Sequence, residues 1–232
     1  MADEQTTKPR VLAVDVGGSH VKAMLSTGGE RRRFPSGPDL TAAQMVEGVL
    51  DLTKDLEYDV VAVGVPAPVA AGRVAHDPVN LGEGWAGFDF ERAFGKPTRV
   101  LNDAAMQALG SYEGGRMLFL GLGTGLGSAM IADGVLEPME LGHLPYRKET
   151  YEDFVGQRGL DRLGKKAWRK EVAEVIEAFR AALEPEYVVL GGGNAELLKE
   201  LPTGTRFGDN RNAFLGGFRL WQEPEFSRLR VP

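Results

Sequence analysis

Two stretches of the chain repeat one pattern. VLAVDVGGSHVKAML (residues 11–25) and MLFLGLGTGLGSAMIADGVL (117–136) each run apolar, break at glycines and resume as an alternating run. Continuous apolar runs suit strands buried on both faces, and alternation suits a strand with one solvated face. Two such strand–turn–strand units predict an internal structural repeat, and so a fold of two similar halves.

The intervening segments fit an α/β chain. After a Pro/Gly-bearing connection, RRRFPSGPDL, the stretch TAAQMVEGVLDLTKDL carries Met45, Val46, Val49, Leu50 and Leu56 at helical spacing, with Thr41 or Asp39 as N-cap. YDVVAVGVP (58–66) reads as a buried strand, and TRVLND (98–103) as a short strand that stops at two polar side chains before the helix AAMQALGSYEG. In the second half, WRKEVAEVIEAFRAAL puts Trp168, Val172, Val175, Ile176, Phe179 and Leu183 on one helical face, and EPEYVVLGGGNAELLKEL predicts a strand, a triple glycine and a helix. Two α/β lobes, residues 1–110 and 111–210, would then face each other across a cleft, with the boundary between about residue 104 and residue 116 near GSYEGG.

Charge narrows the partners. With 27 Lys and Arg against 33 Asp and Glu, the net charge of −6 argues against nucleic acid and for a small-molecule ligand. The absence of cysteine excludes disulfides and thiolate metal sites. No apolar run approaches the roughly 20 residues of a membrane span. A cytoplasmic protein with a short loose N-terminus is the expectation.

Glycine after a strand leaves backbone N–H groups unshielded by Cβ atoms, so an anion can come close. Gly17-Gly18 and Gly123-Thr124-Gly125 are either plain hairpin turns or two phosphate cradles, and their occurrence at equivalent points of a repeat favours cradles. Asp15, at the end of the first strand, is either a turn cap or a carboxylate holding Mg²⁺ through water. Asn102-Asp103 can act as a helix N-cap, yet strand C-termini also deliver side chains to ligand crevices. If phosphates lie along the glycine turns, Asp103 can take a proton from an acceptor hydroxyl, and phosphoryl transfer needs little beyond base, metal and alignment.

Glu140, His143 and Glu152 form a polar set suited to a polyhydroxylated ligand. Zinc at His143 is the competing reading, disfavoured because neither a cysteine nor a second histidine is near it. His20 and His76 read as structural or exposed. The basic run LGKKAWRK (163–170) is either a solvated helix face or a strip that steers phosphate. Gly191-Gly192-Gly193-Asn194 would let a flat or charged group lie against backbone at a helix N-terminus, or would serve only strand–helix packing.

Taken in order, VDVGGSHVKA, VGVPAPV, LNDAAMQALG, GLGTGLGSAMIADGVL, ELGH and VVLGGGNA resemble the ROK sugar kinases of the actin-like ATPase superfamily, over about residues 11–222. ROK proteins commonly carry a zinc-binding cysteine cluster after the ELGH segment. Here that stretch has no cysteine, and with ELGHLPY, TYEDFVG and LGKKAWRK it looks most like the zinc-free polyphosphate glucokinase branch, which uses polyphosphate, ATP or both. The resemblance implies a two-lobed, ribonuclease-H-like fold with RNAFLGGFRLW as a helix returning to the first lobe, usually in a homodimer. It implies Asp103 as general base on the sugar 6-hydroxyl, with Asn102, Glu140, His143 and Glu152 on the sugar, glucose above all. It also implies Asp15 near Mg²⁺ and phosphate, Gly17-Gly18 and Gly123-Thr124-Gly125 as phosphate loops, and Gly191 and Gly192 on the nucleotide side. Ser19 and Lys22 complete the phosphate-side candidates. No zinc is expected. The start of the sequence, with no helix-turn-helix before Val11, favours a kinase over the family's DNA-binding repressors. The short LPTGTRFGDN segment mildly favours polyphosphate over ATP.

Overall fold

A computed structural model describes residues 8–209 and 211–222. The first half runs β1 (Val11–Val16), β2 (His20–Leu25), β3 (Arg32–Pro35), α1 (Ala42–Leu52), β4 (Val60–Val65), β5 (Val69–Ala70), β6 (Arg73–Val74), α2 (Phe90–Phe94), β7 (Thr98–Asn102) and α3 (Asp103–Ser111). The second runs β8 (Met117–Leu122), β9 (Leu126–Ala132), β10 (Val135–Met139), β11 (Pro145–Tyr146), β12 (Glu149–Thr150), α4 (Tyr151–Val155), α5 (Gln157–Leu183), β13 (Tyr187–Gly191), β14 (Thr205–Phe207) and α6 (Asn212–Gln222). The expected loose N-terminus, residues 1–7, lies outside the described residues.

The repeat is real at the level of sheet order. One five-stranded sheet is β3-β2-β1-β4-β7 and the other β10-β9-β8-β13-β14. In each, the first three strands pair antiparallel and the last two join in parallel. Strands β1 and β4 are buried at every position, as their β-branched runs require.

Helices fill three layers around the two sheets. On the outer face of the first sheet, α1 buries Ala42, Met45, Val46 and Val49; Thr41 caps it in a box, accepting from Gln44 N at 3.3 Å while Gln44 Oε1 accepts from Thr41 N at 3.0 Å. Leu50, expected on the buried face, is exposed, and the helix stops at Leu52. On the outer face of the second sheet, α5 buries Trp168, Val172, Val175, Ile176 and Phe179, as expected. It kinks at Gly164, whose φ of 71° is left-handed. Between the sheets lie α3 and α6, whose apolar residues join one core with Val11, Ala62, Phe119, Ile131 and Val189 from both sheets. The C-terminal helix thus returns to the first sheet: Trp221 Nε1 donates to the Val61 carbonyl at 3.0 Å. Helices α3 and α6 cross backbone to backbone, because a Cβ on Gly110 would lie 2.8 Å from Gly216 N.

Two local expectations fail. RRFP, expected as part of a loop, is strand β3 on the sheet edge, where arginines on an alternating pattern are tolerated and deter further pairing. The helix expected after the triple glycine is a single 3₁₀ turn, Ala195–Leu197. Asn194 N donates to the Leu122 carbonyl at 3.0 Å, which ties this segment to the second glycine turn instead of starting a helix.

Candidate active site

Sheet register brings the acidic residues together. Asp15 on β1 sits beside Gly64 on β4, and Gly64 beside Leu101 on β7, two residues before Asp103. Both carboxylates therefore stand at the C-terminal edge of the first sheet, where parallel strands present ligand-binding groups. Asn102 caps α3: its Oδ1 accepts from Ala104 N at 2.9 Å and Ala105 N at 3.1 Å, while its Nδ2 donates to the Ala67 carbonyl at 3.3 Å. The capping role is thus real, and one amide hydrogen of Asn102 remains for a ligand.

Asp103 opens α3 and accepts from Ala104 N at 2.8 Å. Its carboxyl is pushed up to about 7, first by burial and then by the negative charge of Asp15, with a smaller push from Glu140. Asp15 itself is nearly covered and receives a hydrogen bond from Lys22 Nζ at 2.9 Å.

From the second lobe, a 3₁₀ turn (Leu141–His143) and α4 supply the other polar groups. His143 stands between two carboxylates, with Nδ1 3.8 Å from Glu140 Oε2 and Nε2 3.8 Å from Glu152 Oε1. The carboxyl of Glu140 is raised by burial, opposed by His143 and reinforced by Glu152. Gly142 permits this packing, because a Cβ there would come within 2.7 Å of the Leu126 carbonyl oxygen. Glu140, His143 and Glu152 are thus brought together as expected, and the effect of Glu140 on Asp103 joins them to the first-lobe carboxylates.

The two glycine turns share one hydrogen-bonding logic, in which the protein takes the carbonyls. Gly17 O accepts from Ser36 Oγ at 2.5 Å, and Ser19 O from Ser36 N at 3.0 Å. Gly123 O accepts from Gln157 N at 2.9 Å and Asn194 Nδ2 at 3.2 Å, and Thr124 O from Gln157 N at 3.1 Å. By contrast, the N–H groups of Gly18, Ser19, Thr124 and Gly125 donate to no backbone carbonyl among the described residues. None of Gly17, Gly18, Gly123 and Gly125 has a positive φ, so turn geometry does not explain the choice of glycine. A Cβ on Gly123 would meet nothing within 4 Å, which leaves open space beside the backbone. Two carbonyl-pinned turns with N–H groups to offer can hold an anion.

Sequence reasoning passed over Ser36, Gln157 and the pinning role of Asn194, since each acts on a turn distant in sequence and none belongs to a pattern of its own. Gly191 and Gly192 lie at the end of β13, beside a cavity of about 240 Å³ that Ala195, Leu198 and Phe207 also line. His76 is exposed, and His20 contributes its carbonyl to Gly17 N at 3.0 Å. In the basic run, Lys165, Lys166 and Lys170 are exposed, but Arg169 is not free to steer anything: its Nε donates to the Leu197 carbonyl at 2.6 Å. Among the described residues, no group of three or more His, Asp or Glu is arranged to hold a metal by protein ligands alone, and no helix is long and apolar enough to cross a membrane.

Duplicated sheets around a shared pair of helices, with carboxylates and glycine turns at the strand ends, define the two-lobed actin-like ATPase fold. The sequence pattern of the ROK family matches residues 11–159, and the chain belongs to that family. It is 27% identical over 214 residues to a polyphosphate glucokinase of Mycobacterium tuberculosis (strain CDC 1551 / Oshkosh), covering 81% of this chain and 79% of the relative. Against the polyphosphate glucokinase of Mycobacterium leprae (strain TN) the identity is 26% over 210 residues, and the match spans 81% of this chain but 64% of the relative's length. Among solved structures, the inorganic polyphosphate/ATP-glucomannokinase from Arthrobacter sp. strain KM superposes with a TM-score of 0.80 at 25% identity, covering 91% of this chain and 97% of that one. The ROK family glucokinase from Streptomyces griseus, in complex with glucose and AMPPNP, shares the fold with a TM-score of 0.72 at 16% identity, covering 91% and 99%.

Proposed function

We infer that the protein is a hexose kinase, a glucokinase in the first instance, which transfers the terminal phosphoryl group of inorganic polyphosphate or ATP to the sugar 6-hydroxyl. The observation that carries this reading is Asp103, a carboxylate whose pKa is pushed up to about 7 beside two glycine turns that have N–H groups to offer. A base tuned near working pH is ionised often enough to act and basic enough to accept a hydroxyl proton. The sugar oxygen forms its bond to the terminal phosphorus as the bridging P–O bond breaks, and the hydroxyl proton passes to an Asp103 carboxylate oxygen. Glu140, His143, Glu152 and the spare Asn102 amide hydrogen orient the sugar. Glycine-turn N–H groups and Lys22 meet the donor phosphates.

Mg²⁺ fits the donor set. Asp15 and Asp103 repel each other enough to raise Asp103, and with few protein ligands the ion keeps its waters and takes donor oxygens, as Mg²⁺ prefers. Asp15 would hold it through water, and it supplies charge neutralisation at the phosphates. The names of the mycobacterial relatives and of the Arthrobacter structure support polyphosphate as donor. The cavity beside Gly191 and Gly192 is roomy enough for a nucleobase, which supports ATP as well. Cytoplasmic residence and a homodimer belong to the same reading; light scattering tests the dimer.

A coupled assay crossing glucose, mannose, fructose and N-acetylglucosamine with ATP and polyphosphate is the test. Turnover with glucose and either donor is expected. Turnover only with another sugar moves the assignment to that substrate, and sugar binding without turnover for every pair would make the protein a sensor.

A further inference from the structure

His143 and Glu152 are separated by eight residues, and their placement depends on how that connection is held. It folds as a minimal hairpin: Pro145 pairs with Thr150, Tyr146 with Glu149, and Tyr151 N donates to the Leu144 carbonyl at 3.2 Å. At the tip, Arg147 has a φ of 55°, a left-handed conformation that is unfavourable for a non-glycine residue. Nothing in a free surface hairpin would require an arginine there.

Its side chain gives the reason. One guanidinium nitrogen lies 2.9 Å from Glu171 Oε1 and another 3.1 Å from Glu174 Oε2, so the fork spans two carboxylates one turn apart on α5. Glu171 is nearly covered, with its side chain 13% exposed, and its other oxygen accepts from Tyr146 Oη at 3.3 Å. The guanidinium carbon also lies 5.0 Å from the Tyr146 ring and 5.3 Å from the Phe154 ring. Below it, Tyr146 stacks on Tyr151 at 4.5 Å and meets Phe154 edge-on at 5.2 Å, while Tyr151 touches Phe179 of α5 at 4.7 Å. The hairpin, α4 and α5 are thus one body closed by Arg147.

We propose that Arg147, clamped on Glu171 and Glu174, is a positioning residue that fixes the spacing of His143 and Glu152 and thereby sets affinity for the sugar. This rests on the reading of those two residues as sugar ligands. The clamp touches neither the glycine turns nor Asp103. It should therefore act first on sugar binding, with any effect on the donor side limited to what α5 passes on through Gln157 to Gly123 and Thr124. A lysine cannot replace it, because an ammonium cannot span two carboxylates as a fork.

The test uses the full chain with Arg147→Ala, Arg147→Lys and Glu174→Gln, the last removing only the more exposed anchor in case the alanine variant folds poorly. Steady-state kinetics with glucose and each donor are combined with imidazole proton resonances, readily assigned among three histidines. Arg147→Ala is expected to raise the glucose KM at least tenfold, with kcat and donor KM within about twofold. Arg147→Lys should fail to rescue, Glu174→Gln should fall between, and the His143 resonances should move in all three. An unchanged glucose KM with unmoved His143 resonances overturns the proposal, and so does a loss of apparent kcat with both KM values unchanged, which marks simple destabilisation. If the wild-type protein phosphorylates no sugar while His143 still moves, the kinase reading fails and the positioning role stands.

Discussion

At Asp103, burial and the neighbouring charges of Asp15 and Glu140 outweigh the hydrogen bond from Ala104 N, so the carboxyl titrates near neutrality. The folded pKa lies above the unfolded value. The unfolded chain therefore releases this proton first, and the contribution of Asp103 to stability falls as pH rises from about 4 to about 7, then levels off. Asp103→Asn should make the protein more stable at pH 8 than the wild type, by about 2 to 4 kcal/mol, with the gap closing towards pH 4. Urea unfolding at the two pH values measures it. The same substitution should lower kcat by about 10²-fold or more with sugar binding retained; a variant turning over near the wild-type rate sinks the assignment of the base. Glu140→Gln removes one repulsive charge but leaves the larger effects of burial and Asp15. The acid limb of kcat/KM should therefore shift down only part of the way towards the ordinary aspartate value.

Elements that carry their own periodicity were legible in the sequence. Strand β4, helix α5 with its buried Trp168 face and the paired glycine turns all follow from runs and spacings within a dozen or so residues. The failures have physical causes outside any such window. Strand β3 hides behind its two arginines because an edge strand needs no apolar face, and NAELLKEL has a helical look but is tied at Asn194 to Leu122 and at Leu197 to Arg169. Asn102-Asp103 stood out as a candidate site because it ends a strand, whereas Ser36 and Gln157 were invisible, each being defined by a carbonyl far away in sequence. Arg169 also changes what the basic run can do. If α5 tracks polyphosphate, neutralising Lys165, Lys166 and Lys170 should raise the polyphosphate KM severalfold and leave the ATP KM within twofold, and equal effects would return the strip to plain solvated surface. Arg169 should be kept in that experiment, since losing its bond to Leu197 would disturb the wall beside Gly191 for either donor.

At the scale of the whole molecule, the two similar halves meet around a core that belongs to neither. Helix α3 follows β7 of the first sheet, carries Asp103 at its start, and buries Ala105, Met106 and Leu109 against Phe119, Ala129 and Ile131 of the second sheet. The position of Asp103, the proposed base, is therefore set by the packing that joins the lobes, and the lobes should not unfold separately. The three tryptophans test this directly: Trp85 lies in the outer core of the first sheet, Trp168 in that of the second, and Trp221 against the shared core. Variants keeping one tryptophan each should unfold in urea as a single transition with coincident midpoints, once each is corrected for its own substitutions. Gly110→Val drives a branched side chain into the backbone of α6, where overpacking costs about 1–3 kcal/mol or more. It should lower the midpoint reported by each tryptophan by the same amount. A shift confined to Trp221, with Trp85 and Trp168 still reporting their wild-type midpoints, would mean that the sheets are independently stable and that α3 and α6 merely fill the space between them.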